Sequence, residues 1–216
     1  MQEHIKILDE SKRMKIIKKT AADILGDTET ERIWDTARER LREILSHYDN
    51  IPPKEQMHAN LIFPHIAVYK SLLENHGGMA MEIMEKGEAA ASEKAAKLFQ
   101  NVVKLPFGKA IFLKGFAAGC KSGFGSDAGF KHVIHRADSK RYQMDVTACP
   151  YVKYCNAEGC GELTRIFCDI DIYAYGHLDG ITFERSQTLG TGGEKCDFLL
   201  GLQIITTVLP HLFQSL

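Results

Sequence analysis

The stretch Tyr142-Gln143-Met144-Asp145-Val146-Thr147-Ala148-Cys149 decides the class of this chain. Tyr142, Met144, Val146 and Ala148 alternate with Gln143, Asp145, Thr147 and Cys149, a period of two that gives a half-buried strand one apolar and one polar face. Ile181, Phe183, Arg185 and Gln187 make a second candidate strand, and Cys196, Phe198, Leu200 and Leu202 a third. Gly190-Thr191-Gly192-Gly193-Glu194-Lys195 lies between those two and suits an antiparallel hairpin. Between the first strand and the second, Leu163, Ile166, Phe167 and Ile170 share one face of a helix expected over 161–175.

Upstream of the strands the apolar period is helical. Thr28 and Glu31 have capping-box spacing, and Ile33, Trp34, Ala37, Leu41, Ile44, Leu45 and Tyr48 follow on one face. Asn50 to Pro53 breaks that helix. Leu61, Ile62, Ile66, Tyr69, Leu72 and Leu73 form the next stripe, expected to end near Gly77-Gly78, with further helical stretches over 79–103 and 107–121. Gly119 to Gly129 turns abruptly to glycine and small polar residues, which predicts a linker or an active-site flap. Its glycines do not fit a dinucleotide loop, which should follow a strand and open a helix. The expected fold is α+β, with N-terminal helices packed on a C-terminal antiparallel β-sheet and one additional helix. Residues 1–121 form the helical region and 122–216 the sheet region, joined in one compact unit.

Length and composition narrow the function classes. The 216 residues, 44% hydrophobic and 25% charged, suffice for a sizeable core. With 27 basic and 28 acidic side chains the formal charge is −1, so no global field gathers nucleic acid or an anionic membrane. The charged stretch Lys12-Arg13-Met14-Lys15-Ile16-Ile17-Lys18-Lys19 lacks the apolar centre of a secretory signal, and no run has the length of a membrane span. Six cysteines in a chain of this size without an export signal point to a reduced, cytoplasmic protein.

Thiols, carboxylates and one arginine recur together in the last third. Cys168 and Asp171 are three apart and project together from the 161–175 helix. Arg185 shares a strand face with Ile181 and Phe183, and Cys196 shares one with Phe198 and Leu200, while Asp197 points to the opposite face. Arg185 could clamp a ligand carboxylate, or be tied to Asp171, Glu162 or Asp197 as an internal ion pair. Cys149, Cys155, Cys160 and Cys168 are separated by six, five and eight residues, unlike the close pairs of structural zinc or cluster sites. His132 and His135 would point to opposite faces of a strand. No metal or other cofactor is expected.

In their order along the chain, Cys149-Pro150-Tyr151, Gly161-Glu162-Leu163, Phe167-Cys168 with Asp171, Phe183 with Arg185, Thr188-Leu189 with the glycines after it, and Cys196-Asp197-Phe198 resemble the L-2-amino-thiazoline-4-carboxylic acid hydrolase family. Asn60-Leu61-Ile62-Phe63-Pro64 with Ala67-Val68-Tyr69 resembles, more loosely, its helical N-terminal half. The resemblance implies hydrolytic opening of a cyclic amidine: water adds at the carbon flanked by nitrogen and sulfur, and the ring opens toward an N-carbamoyl cysteine. Cys196 or Cys168 would then be the nucleophile, or Asp171 or Asp197 the base that activates water. Arg185, Glu162, Thr188 and Cys149 would bind a small carboxylated heterocycle. Two other readings stay open: a sensor that binds such a ligand without turnover, and a cysteine-ligated metalloprotein in which the extra Cys155 and Cys160 take part. A homo-oligomer is also left open.

Overall fold

The computed structural model describes residues 2–203. Its fold is α+β, with helices first and a four-stranded antiparallel sheet after them. Residues 204–216 of the expected sheet region lie outside the described residues.

Ser11 opens α2 (Lys12–Leu25), accepting the Met14 amide on its side chain at 3.1 Å, as an N-cap serine does. Gly26, at φ 85°, closes α2 and starts α3 (Asp27–Ser46) in a single residue. Because that turn is made two positions earlier than the Thr28/Glu31 spacing suggests, the expected capping box does not form; Asp27 and Glu29 occupy the first turn instead. The expected apolar face of α3 does form: Ile33, Trp34, Ala37 and Leu41 are fully buried. Each such large side chain contributes about 1.5–3 kcal/mol. A short helix, α1 (Gln2–Glu10), precedes them.

The frame is α4 (Pro53–Lys104), 52 residues long. As expected, it breaks beside Gly77-Gly78: two helical halves meet across a kink at His76. The helical dihedrals break only at His76, and the chain resumes as helix, because His76 Nε2 is held by Glu29 Oε1 of α3 at 2.7 Å and because Ala80, Ile83 and Met84 bury the continuing face. Helix α4 packs on α2, α3, α6 and α7, and its end with α5 (Gly108–Gly123) forms a second cluster around Val103, Phe112 and Leu113. Among the described residues no helix is long and apolar enough to cross a membrane.

The 119–129 segment is not an open linker. Helix α5 runs through Gly123, and the turn after it buries Ala128 and stacks Phe124 edge-on to Phe130 at 4.7 Å. The strands are β1 (Lys131–Ala137), β2 (Arg141–Ala148), β3 (Ile181–Glu184) and β4 (Cys196–Leu202), in the order β1-β2-β4-β3. Register sets Met144 opposite Phe198 and Val146 opposite Cys196, so the predicted apolar faces of β2 and β4 merge over α5. The second strand stops at Glu184, and residues 185–195 form a wide loop with a 3₁₀ turn at Leu189–Thr191 rather than a tight hairpin. Helix α6 (Pro150–Ala157) links β2 to α7 (Thr164–Tyr175).

Gly87 sets the approach of α2 to α4: a Cβ there would lie 2.9 Å from Ile17 Cγ1 and 3.1 Å from its backbone Cα. Gly87→Val should therefore destabilise by about 1–3 kcal/mol. Gly78, which faces open space, should accept alanine with a gain of about 0.5–1 kcal/mol. Melting temperatures of the two variants, moving in opposite directions, check this packing.

Candidate active site

Between α7, the sheet and α2, side chains from several elements line a cavity of about 250 Å³. Helix α7 contributes Phe167, Cys168 and Asp171; β4 contributes Cys196 and Phe198; Arg185 enters just past β3; Cys149 and Tyr151 stand at the start of α6; Arg13 reaches in from α2. Phe124 and Phe130, from the turn expected to be a flap, close another side. This volume sits just below the usual range of about 300–1,000 Å³ for ligand sites, so it suits a small ring rather than a nucleotide.

Asp171 is the electrostatic centre of this wall. One carboxylate oxygen accepts the Tyr175 hydroxyl, one turn along α7, and the other lies 3.2 Å from Arg185 Nη1. A quarter of its side-chain surface stays accessible, and that surface borders the cavity and a second, apolar one of about 500 Å³ between α4 and α5. Burial pushes the Asp171 carboxyl up to about 6, against the Tyr175 hydrogen bond and the Arg185 charge.

Arg185 is committed within the protein. Its side chain is 8% exposed, its Nη1 donates to the Cys168 carbonyl at 2.9 Å as well as facing Asp171, and its Nη2 lies 3.9 Å from Asp169. Phe183 and Phe198 sandwich it, with Cζ 5.7 and 5.8 Å from their ring centres. Of the internal partners considered for this arginine, Asp171 is the one it meets, and Glu162 and Asp197 are not.

The three thiols at the cavity are held protonated at neutral pH. Burial raises Cys168 to about 11 and Cys149 to about 12. It raises Cys196 as well, although the Leu189 amide donates to Cys196 Sγ at 3.2 Å. Gly190 presses on Cys168: a Cβ on it would meet Sγ at 2.9 Å.

Two of the residues expected at the site, Asp197 and Glu162, lie elsewhere. Asp197 is on the opposite face of β4, where it accepts the Ser186 and Gln187 amides, each at 2.9 Å, and pins the 185–195 loop. Glu162 is exposed and accepts the Tyr69 hydroxyl at 2.9 Å, tying α4 to the turn before α7. Thr188 caps the 3₁₀ turn by accepting the Thr191 amide at 3.1 Å, and its side chain also hydrogen-bonds the cavity thiol of Cys168. Asp197 and Glu162 are thus engaged by Ser186–Gln187 and by α4 rather than by the cavity. Cys155 and Cys160 are buried in the helical core, and among the described residues no three His, Cys, Asp or Glu side chains gather as metal ligands.

Sequence reading passed over His58, Tyr151 and Arg13 as site residues. His58 Nε2 donates to the Gly123 carbonyl at 2.9 Å, which leaves Nδ1 to accept the Tyr151 hydroxyl at 3.0 Å. Burial holds the imidazole below its ordinary value, so this neutral ring fixes Tyr151 against the cavity. Tyr151 was visible only within a motif, and His58 stands alone on an apolar helix face, where composition distinguishes nothing.

A family model described as L-2-amino-thiazoline-4-carboxylic acid hydrolase matches residues 54–200. No curated protein and no solved structure matches the chain significantly.

The buried thiols should alkylate slowly. At neutral pH, iodoacetamide should modify Cys149, Cys168 and Cys196 more slowly than an unhindered cysteine, with rates still rising above the usual thiol range of about 8.5. Peptide mass spectrometry across a pH series checks each position separately.

Proposed function

Since the chain belongs to the L-2-amino-thiazoline-4-carboxylic acid hydrolase family, we propose that it is a hydrolase that opens a small cyclic amidine, such as 2-amino-thiazoline-4-carboxylate, to an N-carbamoyl amino acid. Asp171 is the general base. The observation that carries this reading is a carboxylate raised to about 6 by burial in a cavity of small-ring size. A base with that value is largely ionised at neutral pH, yet far more basic than an ordinary aspartate.

The balance of the reaction assigns the parts. Asp171 takes a proton from water as the oxygen bonds to the ring carbon between nitrogen and sulfur. The carbon–sulfur bond then breaks, and the departing sulfur takes up a proton, leaving the urea-like carbamoyl group on nitrogen. Before that step the same carboxylate pairs with the cationic amidinium and orients it. Tyr175 and Arg185 hold Asp171 in place and limit its rise, since both favour the charged form. Protonated thiols of Cys168 and Cys196 line the cavity without needing to ionise.

One contact favours a covalent alternative: the Leu189 amide donated to Cys196 Sγ would stabilise a thiolate there. Cysteine variants separate the two routes. Under the water route Cys168→Ala and Cys196→Ala each keep substantial turnover, whereas loss of a nucleophile would cost several orders of magnitude. A sensor would bind the thiazoline tightly without opening it.

Turnover of 2-amino-thiazoline-4-carboxylate, followed by mass spectrometry, tests the reading. Asp171→Asn keeps shape but cannot accept the proton, and should lose about 10²–10⁴ in rate. The folded value of Asp171 lies above the unfolded one, so the active, ionised form is lost as pH falls through about 6, and kcat/KM should fall with it. Arg185→Gln removes a charge that lowers Asp171, so the same limb should move to higher pH; Arg185→Lys should move it less. A limb unmoved by Arg185→Gln, or an active Asp171→Asn protein, contradicts the assignment.

A further inference from the structure

The charge of Arg185 is already matched within the protein, by Asp171 at 3.2 Å and Asp169 at 3.9 Å, while its Nη1 also donates to the Cys168 carbonyl. A carboxylated substrate still needs a cation. Arg13 of α2 is the other arginine at the cavity, and its setting is that of a prepared anion receptor. We infer that Arg13 binds the carboxylate of the substrate and so determines selectivity for carboxylated rings, an assignment that rests on the hydrolase reading above.

The geometry behind Arg13 is fixed. Its Nη1 donates to Glu88 Oε2, its one ion-pair partner among the described residues. The other oxygen, Oε1, lies 2.6 Å from His65 Nε2, and His65 Nδ1 donates to the Leu61 carbonyl at 2.6 Å. Glu88 and His65 are both 0% exposed, whereas the Arg13 side chain keeps 28% of its surface. Burial opposes ionisation of Glu88, but His65 and Arg13 outweigh it and hold the carboxyl below its ordinary value. Glu88 therefore anchors one corner of the guanidinium from behind. Arg13 also lines the cavity, and a planar fork with donors beyond the one Glu88 takes can hold a carboxylate through two parallel bonds. Gly87 makes the seat reachable, since α2 packs against its missing Cβ.

The two charged walls then match a ring that carries both a cationic amidine and a carboxylate. Asp171 on α7 receives the amidinium, and Arg13 on α2 receives the carboxylate. Arg13 lies outside residues 54–200 matched by the family model, so the carboxylate would be selected by a helix that the family model does not match.

Calorimetric titration of the intact protein with 2-amino-thiazoline-4-carboxylate and with 2-amino-thiazoline, which lacks the carboxylate, measures the discrimination without requiring turnover. Arg13→Gln, in which Glu88 keeps His65, should weaken the acid about 10- to 100-fold and leave the decarboxylated ring unchanged. Arg13→Lys, which keeps charge but not the fork, should fall between. Should Arg13→Gln fail to fold, Arg13→Lys carries the test alone through reduced discrimination. Equal weakening of both ligands, unchanged discrimination, or a native protein that binds neither ligand or does not distinguish them overturns the assignment. Absent turnover with Arg13-dependent discrimination would instead sink the hydrolase reading and leave the arginine assignment standing.

Discussion

Asp171 is withdrawn from bulk water while still ionisable, and the site is organised around the cost of that. An unpaired buried carboxylate would cost several kcal/mol, so the sheet supplies Arg185 and α7 supplies Tyr175, each on one oxygen. Full compensation would have produced an ordinary low-lying ion pair. Burial instead prevails, and the carboxyl ends near 6. The ion pair also couples elements, since Arg185 joins the end of β3 to the carbonyl of Cys168 and the side chain of Asp171 on α7. What looks like a sheet-to-helix brace thus sets the basicity of the group it braces.

The opposite wall depends on the long helix. The two halves of α4, joined across the kink at His76, carry Leu61 and His65 on one side and Glu88 on the other, the first beside the cavity and the other two paired next to Arg13. Its C-terminal end supports α5, whose exit carries Phe124 to the cavity and the Gly123 carbonyl to His58. Glycine at position 87 is the packing concession that lets α2 reach this scaffold.

Residue patterns revealed the parts whose local chemistry is self-contained. The alternation from Tyr142 to Ala148 showed β2, because one face is buried and the other is wet. Strand β1 has no such alternation: it is an edge strand exposed along nearly all its length, and Val133 and Ile134 lie at 56% and 40% exposure. Helix α6 is too short for a periodic signal, though Pro150 at its first turn was a usable start marker. The shared placement of Cys168, Asp171, Arg185 and Cys196 was legible because three-residue spacing on a helix and alternation on strands fix direction. Arg13 was illegible for the converse reason: within a run of lysines nothing distinguishes the cation that reaches the cavity, since its partner Glu88 and the His65 behind it lie far away in sequence.

One ionisation, that of Asp171, decides the mechanism. Carbon NMR of the side-chain carboxyls, with the Asp171 resonance identified by its loss in Asp171→Asn, measures that ionisation without substrate. The expected midpoint is about 6. A midpoint in the ordinary aspartate range of about 3.9 would mean that Arg185 and Tyr175 outweigh burial, and it would contradict the assignment of Asp171 as the base.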